Sequence, residues 1–570
     1  MFFLAIRTWS FMRVCVSGIS MMLYLSAPMV WAQLPTNAGQ VMRDIESERL
    51  TLPAPHELQP QKPKVQETPV SSASEQGPRI KVQGFRIGGN QLFDTQRLLE
   101  LLKDLQGREL NLADLNGAAQ RISEFYQEQG YVLARAYLPR QEITDGQVLI
   151  EVVEGRYGQI ELQNHSRTRD HVLRQPLAGL ANGAAVQGDE LERSLQMLSD
   201  IPGVQAKGTL RPGAQSGTTD LLVEAQSTPL LDGSLEANNY GDYSTGEYRL
   251  GGNLNLNSPL GLGDQLNLRL QSGDWRQRYY RVAYQLPVGP YSTRIGVAHS
   301  EAYYHVIKSP GGLDSLGLHG RAGIQSLFLS QPLLRGRTFS LSAQLQYEAK
   351  RLRDDIELFD VRGKKDIGLW TTGITGNSQD RWFGGGQNGF ALTYGHGRLS
   401  IDDPLARRQD RYSANKAGSF DKVNLNAVRL QRLSERFQLF AQLNAQWALG
   451  NLDSAEKFTL GGPYGVRAYP SSSPDGNGDE GWQASLELRY SLAPGWQLST
   501  FVDQGAVKFN KQPWTREGNH NQMSGAGAGA TWFGRNHQIS LTTAWPTGAA
   551  EKNIEPQRSP RIWLQAVRYF

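Results

Sequence analysis

Apolar and polar positions alternate strictly from Pro229 to Phe570. Leu250, Gly252, Leu254 and Leu256 interleave with Arg249, Gly251, Asn253, Asn255 and Asn257, and Leu266, Leu268 and Leu270 with Asn267, Arg269 and Gln271. The same period returns at Phe339, Leu341, Ala343, Leu345 and Tyr347, and at Leu439, Ala441, Leu443, Ala445 and Trp447. Successive side chains of a strand point to opposite faces, so each run predicts a strand with one apolar and one polar face. A soluble β-sandwich shares the alternation but not the length: these runs reach about ten residues, against about 5 or 6 in globular strands, which suits a tilted bilayer crossing. About 340 residues, at roughly ten per strand plus turns and loops, accommodate about sixteen strands, an even number whose ends can meet.

Upstream the period changes. Ile80 to Glu154 and Tyr157 to Gln226 form a weak internal repeat, each copy running strand, helix, helix, strand, strand. Asp94 and Asp189 are expected as helix caps. By periodicity alone each copy is a small α+β domain. Further upstream, "GQVMRDIESERL" sets Val41, Ile45 and Leu50 on one face of a short helix within residues 33–50. Pro53, Pro55, Pro60, Pro63, Pro69 and Pro78 then make residues 51–79 an extended linker, able to span on the order of 90 Å. Residues 1–32 read as a secretory signal, with Arg7 and Arg13 before the apolar stretch Val14 to Leu25 and a small-residue cleavage site at Val30-Trp31-Ala32. That stretch is short and broken by Ser17, Gly18 and Ser20, which argues against a membrane anchor.

Composition narrows the function. The one cysteine, Cys15, lies inside the signal, which leaves the mature chain without disulfide or thiol chemistry. A net charge of +4, dispersed along the chain, does not suggest a nucleic-acid partner. With 61 glycines, 21 tyrosines and 12 tryptophans but no run of about 18 apolar residues after the signal, the chain fits the membrane class that crosses with strands. The nine histidines are scattered, and neither a nucleophile elbow nor a carboxylate dyad is evident, so no enzyme activity, cofactor or metal is expected. "GAGAGAT" lacks phosphate-loop spacing and reads as Gly525, Gly527 and Gly529 on one strand face. "DGNGDEG" has Asp475, Asn477 and Asp479 at calcium-loop spacing, but Glu480 replaces the required glycine and Leu486 the bidentate acid.

Two short motifs carry a resemblance. Val466-Arg467-Ala468-Tyr469, within "FTLGGPYGVRAYP", resembles the Val-Arg-Gly-Tyr/Phe motif in the sixth extracellular loop of the Omp85 superfamily. Its setting is similar to the two-partner-secretion branch, the TpsB transporters of the haemolysin secretion/activation type. Ala468 stands where the family usually has glycine, and would be strained if that glycine serves a positive-φ turn. Phe501, Asp503 and Gly505 match the family's Phe-x-Asp-x-Gly. Parity supports this independently: Trp496, Leu498, Thr500 and Val502 form an outward series, so Phe501, Asp503 and Gly505 face the lumen. The chain ends at Phe570, an aromatic terminus as in bacterial barrels, with Ile562, Leu564 and Ala566 in register and Arg568 breaking it.

The resemblance implies a mainly β protein of the outer membrane: a plug helix (33–50), the linker, two periplasmic POTRA domains (80–154 and 155–227) and a barrel of about sixteen strands (228–570). It implies that the loop between strands eleven and twelve, some 30 residues without structure of its own, folds into the lumen and pairs Arg467 with Asp503. Such a pair gains about 4 kcal/mol gross at an effective dielectric of 20 and far less in water. The implied partners are a large unfolded exoprotein captured on POTRA strand edges, outer-membrane lipid, and the barrel assembly machinery during biogenesis. An assembly factor of the same superfamily would carry more POTRA domains and no such linker. A passive porin would leave the N-terminal domains unexplained.

Overall fold

The computed structural model describes residues 37–46, 78–274, 276–308, 315–471, 473–516, 518–548 and 558–570. The expected signal (1–32), nearly all of the linker, and Leu50 lie outside these residues. Among the described residues no helix is long and apolar enough to cross a membrane.

The alternating region closes on itself as a barrel of sixteen antiparallel strands. Strands 1 to 4 are Leu231–Asn238, Arg249–Asn257, Gln265–Gly273 and Gln277–Val288. Strands 5 to 8 are Thr293–His305, Leu318–Arg335, Phe339–Ile356 and Val361–Asp380. Strands 9 to 12 are Gly386–Ile401, Gly418–Arg432, Phe437–Ala448 and Glu480–Ala493. Strands 13 to 16 are Trp496–Lys508, His520–Phe533, His537–Pro546 and Arg561–Tyr569. Closure joins strand 16 to strand 1, and the terminal Phe570 and Gly233 exchange both backbone hydrogen bonds at 3.1 Å. Hydrocarbon offers the backbone no partner, so an open edge at membrane depth would leave polar groups stranded. Phe570, Leu564 and Ile562 are exposed on the outer wall, where an apolar side chain belongs.

Upstream stand two α+β units of one topology. In the first, Gly84–Gly88 pairs in parallel with Gln147–Val153, which pairs antiparallel with Arg135–Tyr137. In the second, Arg156–His165, Thr218–Ser227 and Val204–Pro212 repeat that arrangement. Each unit has its own apolar core, around Ile122, Ile150 and Tyr126 in one and Leu173, Leu198 and Leu221 in the other.

Three local expectations need correction or qualification. Asp94 caps its helix, accepting from the Gln96 amide, but Asp189 does not: that helix begins at Gly188, its N-cap is Gln187, and Asp189 sits in the first turn. The helical pattern after Arg169 yields only Asp170–Arg174, because Pro176 lacks the amide that would extend it. The loop after strand 11 is not without structure, since Phe458–Thr459 pairs with Asn477–Gly478 and a 3₁₀ turn spans Pro474–Gly476.

Polar clamps join the parts. Glu154, buried between the units, accepts from the Gln91 and Leu92 amides at 2.6 and 2.7 Å and pairs with Arg156 at 2.9 Å. Asp200 of the second unit receives both forks of Arg335, at 2.7 and 2.6 Å, from the end of strand 6 at its turn into strand 7. The rim that carries strand 1 and this turn therefore faces the α+β units, and loops that follow odd-numbered strands lie at the far rim.

Ile122 is fully buried in the first unit. Ile122→Ala is expected to cost about 2–5 kcal/mol through the cavity it leaves. Hydrogen exchange on the full chain would show this as faster exchange in 112–128 and 147–153, with barrel amides unchanged.

Candidate functional site in the barrel lumen

A closed sheet of sixteen strands encloses more space than its own inward side chains fill. Here two insertions occupy it: the loop between strands 11 and 12, hereafter loop six, and the helix Ala38–Glu46.

The tip of loop six turns tightly because its glycines leave room for backbone. A Cβ on Gly465 would come within 2.0 Å of the Leu460 carbonyl oxygen, and one on Gly461 within 2.0 Å of that of Pro470. Val466, Ala468 and Tyr469 are buried, packed with Leu460, Phe501 and Met523. Ala468 is not among the residues with positive φ, so the strain conditionally expected there is absent. Its methyl group instead faces Gly525 of strand 14, where an added Cβ would lie 2.7 Å away. Gly527 of the same strand leaves room for the Phe501 ring, and Gly505 of strand 13 for Leu460. The "GAGAGAT" glycines thus hollow the wall where the loop tip rests.

Arg467 projects from this tip into a ring of acceptors. Its Nε and Nη2 donate to the two carboxylate oxygens of Asp503, each at 2.9 Å, and its backbone amide donates to Asp503 at 3.1 Å. Nη1 donates to Glu487 at 2.6 Å and Nη2 also to Ser485 at 2.9 Å. The guanidinium lies 3.2 Å from the centre of the Phe501 ring, and the indole of Trp563 donates to the Arg467 carbonyl at 2.7 Å. Burial would favour loss of the Arg467 proton, yet hydrogen bonding and attraction from Asp503, then Glu487, raise its pKa above the usual guanidinium value.

Glu487, Ser485 and Trp563 received no role from the sequence, although parity places them inward: Leu486, Leu488 and Tyr490 face out, as do Ile562 and Leu564. What parity lacks is register. Only the pairing of strands 12 and 13 sets Ser485 opposite Asp503 and Glu487 opposite Phe501.

A second set of contacts, missed in the sequence, holds the root of loop six. Glu456 pairs with Lys350 at 2.8 Å and Lys422 at 2.7 Å, Asp453 with Lys365 at 2.9 Å, and Lys457 with Asp479 at 3.0 Å. Burial pushes the Glu456 carboxyl up, but Lys350 and Lys422 outweigh it and hold it at about 2. Asp453 is likewise held below the usual carboxylate range, chiefly by Lys365 against burial. Two residues of "DGNGDEG" serve this anchor: the Asp479 carboxylate takes Lys457, and the Asn477 side-chain carbonyl accepts from Arg43.

Arg43 belongs to the lumen helix, and it also donates to the Ser454 and Lys457 carbonyls, both at 2.8 Å. At the other end, the Ala38 amide donates to Asp354 of strand 7 at 2.7 Å. Val41, Met42 and Ile45 bury one helix face among Tyr279, Tyr304 and Leu369 of the wall. Gly39 abuts Ala455 of loop six so closely that a Cβ would come within 2.6 Å of its methyl group. Helix and loop therefore pack inside the barrel as one body.

A closed sixteen-strand barrel, α+β units at one rim and a loop returned into the lumen are the architecture of an outer-membrane β-barrel transporter. The family model "Haemolysin secretion/activation protein ShlB/FhaC/HecB" matches residues 217–532, and the ShlB-type POTRA domain model matches residues 80–155. The chain belongs to this haemolysin secretion/activation family, the outer-membrane transporters of two-partner secretion. It is 28% identical over 575 residues to the heme/hemopexin transporter protein HuxB of Haemophilus influenzae, covering 98% of this chain and 99% of that one. With the outer membrane transporter CdiB of Dickeya dadantii it shares 23% identity, over 83% of each chain. Among solved structures, CdiB from Escherichia coli superposes with a TM-score of 0.70 at 20% identity, covering 88% of this chain and 93% of that one. BamA from Haemophilus ducreyi reaches 0.51 at 13% identity, a likeness of fold, covering 86% of this chain and 100% of that one. The family is one of secretion transporters, and neither assembly factor nor passive porin is favoured.

Two outcomes test this geometry. Gly525→Val is expected to push Ala468 off the wall and raise the resting conductance of the purified barrel in planar bilayers, whereas Ala468→Gly leaves it low. For the root, the Glu456 pKa lies below its unfolded value of about 4.3, so its stabilisation is complete above that value and lost as pH falls toward about 2. Resting conductance is therefore expected to stay flat from pH 8 to 5 and to rise only below about pH 4.

Proposed function

We propose that Arg467 and its acceptors form the latch of an exoprotein export channel, with the lumen helix as plug. The second α+β unit is read as a second POTRA domain, and both units as the periplasmic receptors of an unfolded client whose extended segments add to their exposed strand edges. The observation that carries the reading is that one residue, Arg467, ties the loop tip to two strands through Asp503, Glu487 and Ser485, while Arg43 ties the plug to the loop root. Displacing plug and loop would open the lumen. Folding of the client outside the cell would supply direction, since a folded segment cannot slide back. The relatives bear different cargo in their names, heme/hemopexin in one and haemolysin in others.

The test measures an exported exoprotein in the medium of cells carrying wild type, Arg467→Ala, Asp503→Asn, Glu487→Gln and the Arg467→Ala/Asp503→Asn double variant, with barrel assembly checked by heat-modifiable migration. A simple charge swap is unsuitable, because an acid at 467 would face Glu487. Arg467→Ala strands the buried Asp503 carboxylate, while Glu487 keeps Arg489 at 2.8 Å, at a site where losing one partner typically costs about 3–5 kcal/mol. It is expected to assemble but to lower secretion on the order of tenfold, a factor that about 1.4 kcal/mol already produces. The double variant is expected to lose less than the sum of the singles. Equal secretion by all five proteins would remove the latch from the mechanism while leaving the family assignment intact.

A further inference from the structure

The outer wall is not uniform. Strands 4 to 8 continue beyond their apolar band, and their register stacks outward-facing residues in rows. One row runs Leu286, Ile295, Leu329 and Leu345, and the next toward the far rim runs Tyr284, Val297, Leu327, Tyr347 and Trp370. This aromatic line marks the outer hydrocarbon boundary. Further along the same face, Arg278, Tyr303, Arg321, Arg353 and Lys364 lie directly opposite one another across the five strands. In the row between, Arg351 is also exposed.

Like charges directly opposite repel, yet Arg321, Arg353 and Lys364 occupy three adjacent strands at one register position. Internal acids answer only part of this charge: Glu301 takes Arg321, Asp355 takes Arg353 at 2.8 Å, and the exposed Asp366 lies directly opposite Arg351. Arg278 and Lys364 are exposed, stand opposite Tyr303 and Arg353 rather than an acid, and have no ion-pair partner among the described residues. The opposite wall differs: Leu443, Trp447, Trp482, Leu486 and Leu488 face outward, and beyond them the charges are mixed, with Glu480 set between Lys508 and Lys511. The basic surface is therefore local to strands 4–8 rather than a ring around the rim.

We propose that this face is a binding site for the phosphate groups of a phosphorylated glycolipid in the outer leaflet. Its orientation is that of the lipid-facing series, not of the lumen, so the site meets lipid headgroups and not a chain in transit. Its height selects the headgroup. Arg351 stands four positions above Tyr347, and Lys364 six beyond Trp370, which at about 3.4 Å per residue and a tilt of about 40° is about 10 to 15 Å past the aromatic line. A phospholipid headgroup layer extends only about 6 Å per leaflet, whereas phosphates carried on sugars reach further. Arginine supplies the planar fork that holds phosphate in two contacts. Bound phosphate would neutralise the opposed cations and fix the azimuth of the barrel relative to its lipid.

The test uses purified full-length protein and native mass spectrometry, counting retained copies of bis-phosphorylated lipid A and of the same lipid with its phosphates removed. Wild type is expected to retain the phosphorylated form preferentially, and Arg351→Gln/Arg353→Gln/Lys364→Gln to lose that preference by about fivefold for each basic side chain removed. Equal retention of both lipids by wild type would overturn the proposal, as would a preference that the triple variant keeps. An acidic polyglutamate peptide that displaces the phosphorylated lipid at equal concentration would overturn it in favour of a polypeptide partner. If the triple variant fails to assemble, the wild-type comparison and Lys364→Gln alone decide.

Discussion

A backbone inside hydrocarbon has to satisfy every amide and carbonyl internally, and the rest of this protein follows from that requirement. The sheet cannot end, so Phe570 returns to Gly233 and strand 16 closes on strand 1. Sixteen strands closed in this way enclose a wide lumen. An open hole of that size would serve a porin, but this chain fills it with a helix and a folded loop.

The filling is polar where it meets the wall at its two anchors and apolar between them. Ion pairs taken out of water give little net stability, since desolvation offsets their attraction, but breaking one is costly. That asymmetry suits an element that has to sit in one register. Arg467 reads two strands at once through Asp503 and Glu487, and Glu456 and Asp453 read strands 7, 8 and 10 through their lysines. Apolar packing of Val41, Met42 and Ile45 alone would hold the helix without specifying its depth, which Asp354 and Arg43 set at its two ends.

Glycine has an uncommon part in this arrangement. In strands 13 and 14, Gly505, Gly525 and Gly527 leave space that Leu460, Ala468 and Phe501 occupy. The alanine of the loop motif is accommodated by the wall opposite it rather than by its own backbone, so a departure from the family pattern at residue 468 carries no strain.

Alternation with period two was enough to determine the barrel, its inside and outside, and a count of sixteen, because the side-chain period of a strand is fixed by geometry and lipid enforces it on every strand. Internal repetition likewise revealed the two α+β units, and Arg467 and Asp503 could be singled out from their motifs. Tertiary structure alone decided who meets whom. Glu487 and Ser485 join Arg467 through the register of strands 12 and 13, and the lysines of strands 7, 8 and 10 meet loop acids about 30 to more than 100 positions away in sequence. Asp189 and the segment after Arg169 show the same limit on a smaller scale, where a two-residue shift or one proline moved an end that periodicity does not specify. Parity is local and survives in the linear chain, whereas register and loop return depend on closure, which exists only once every strand has found its neighbour.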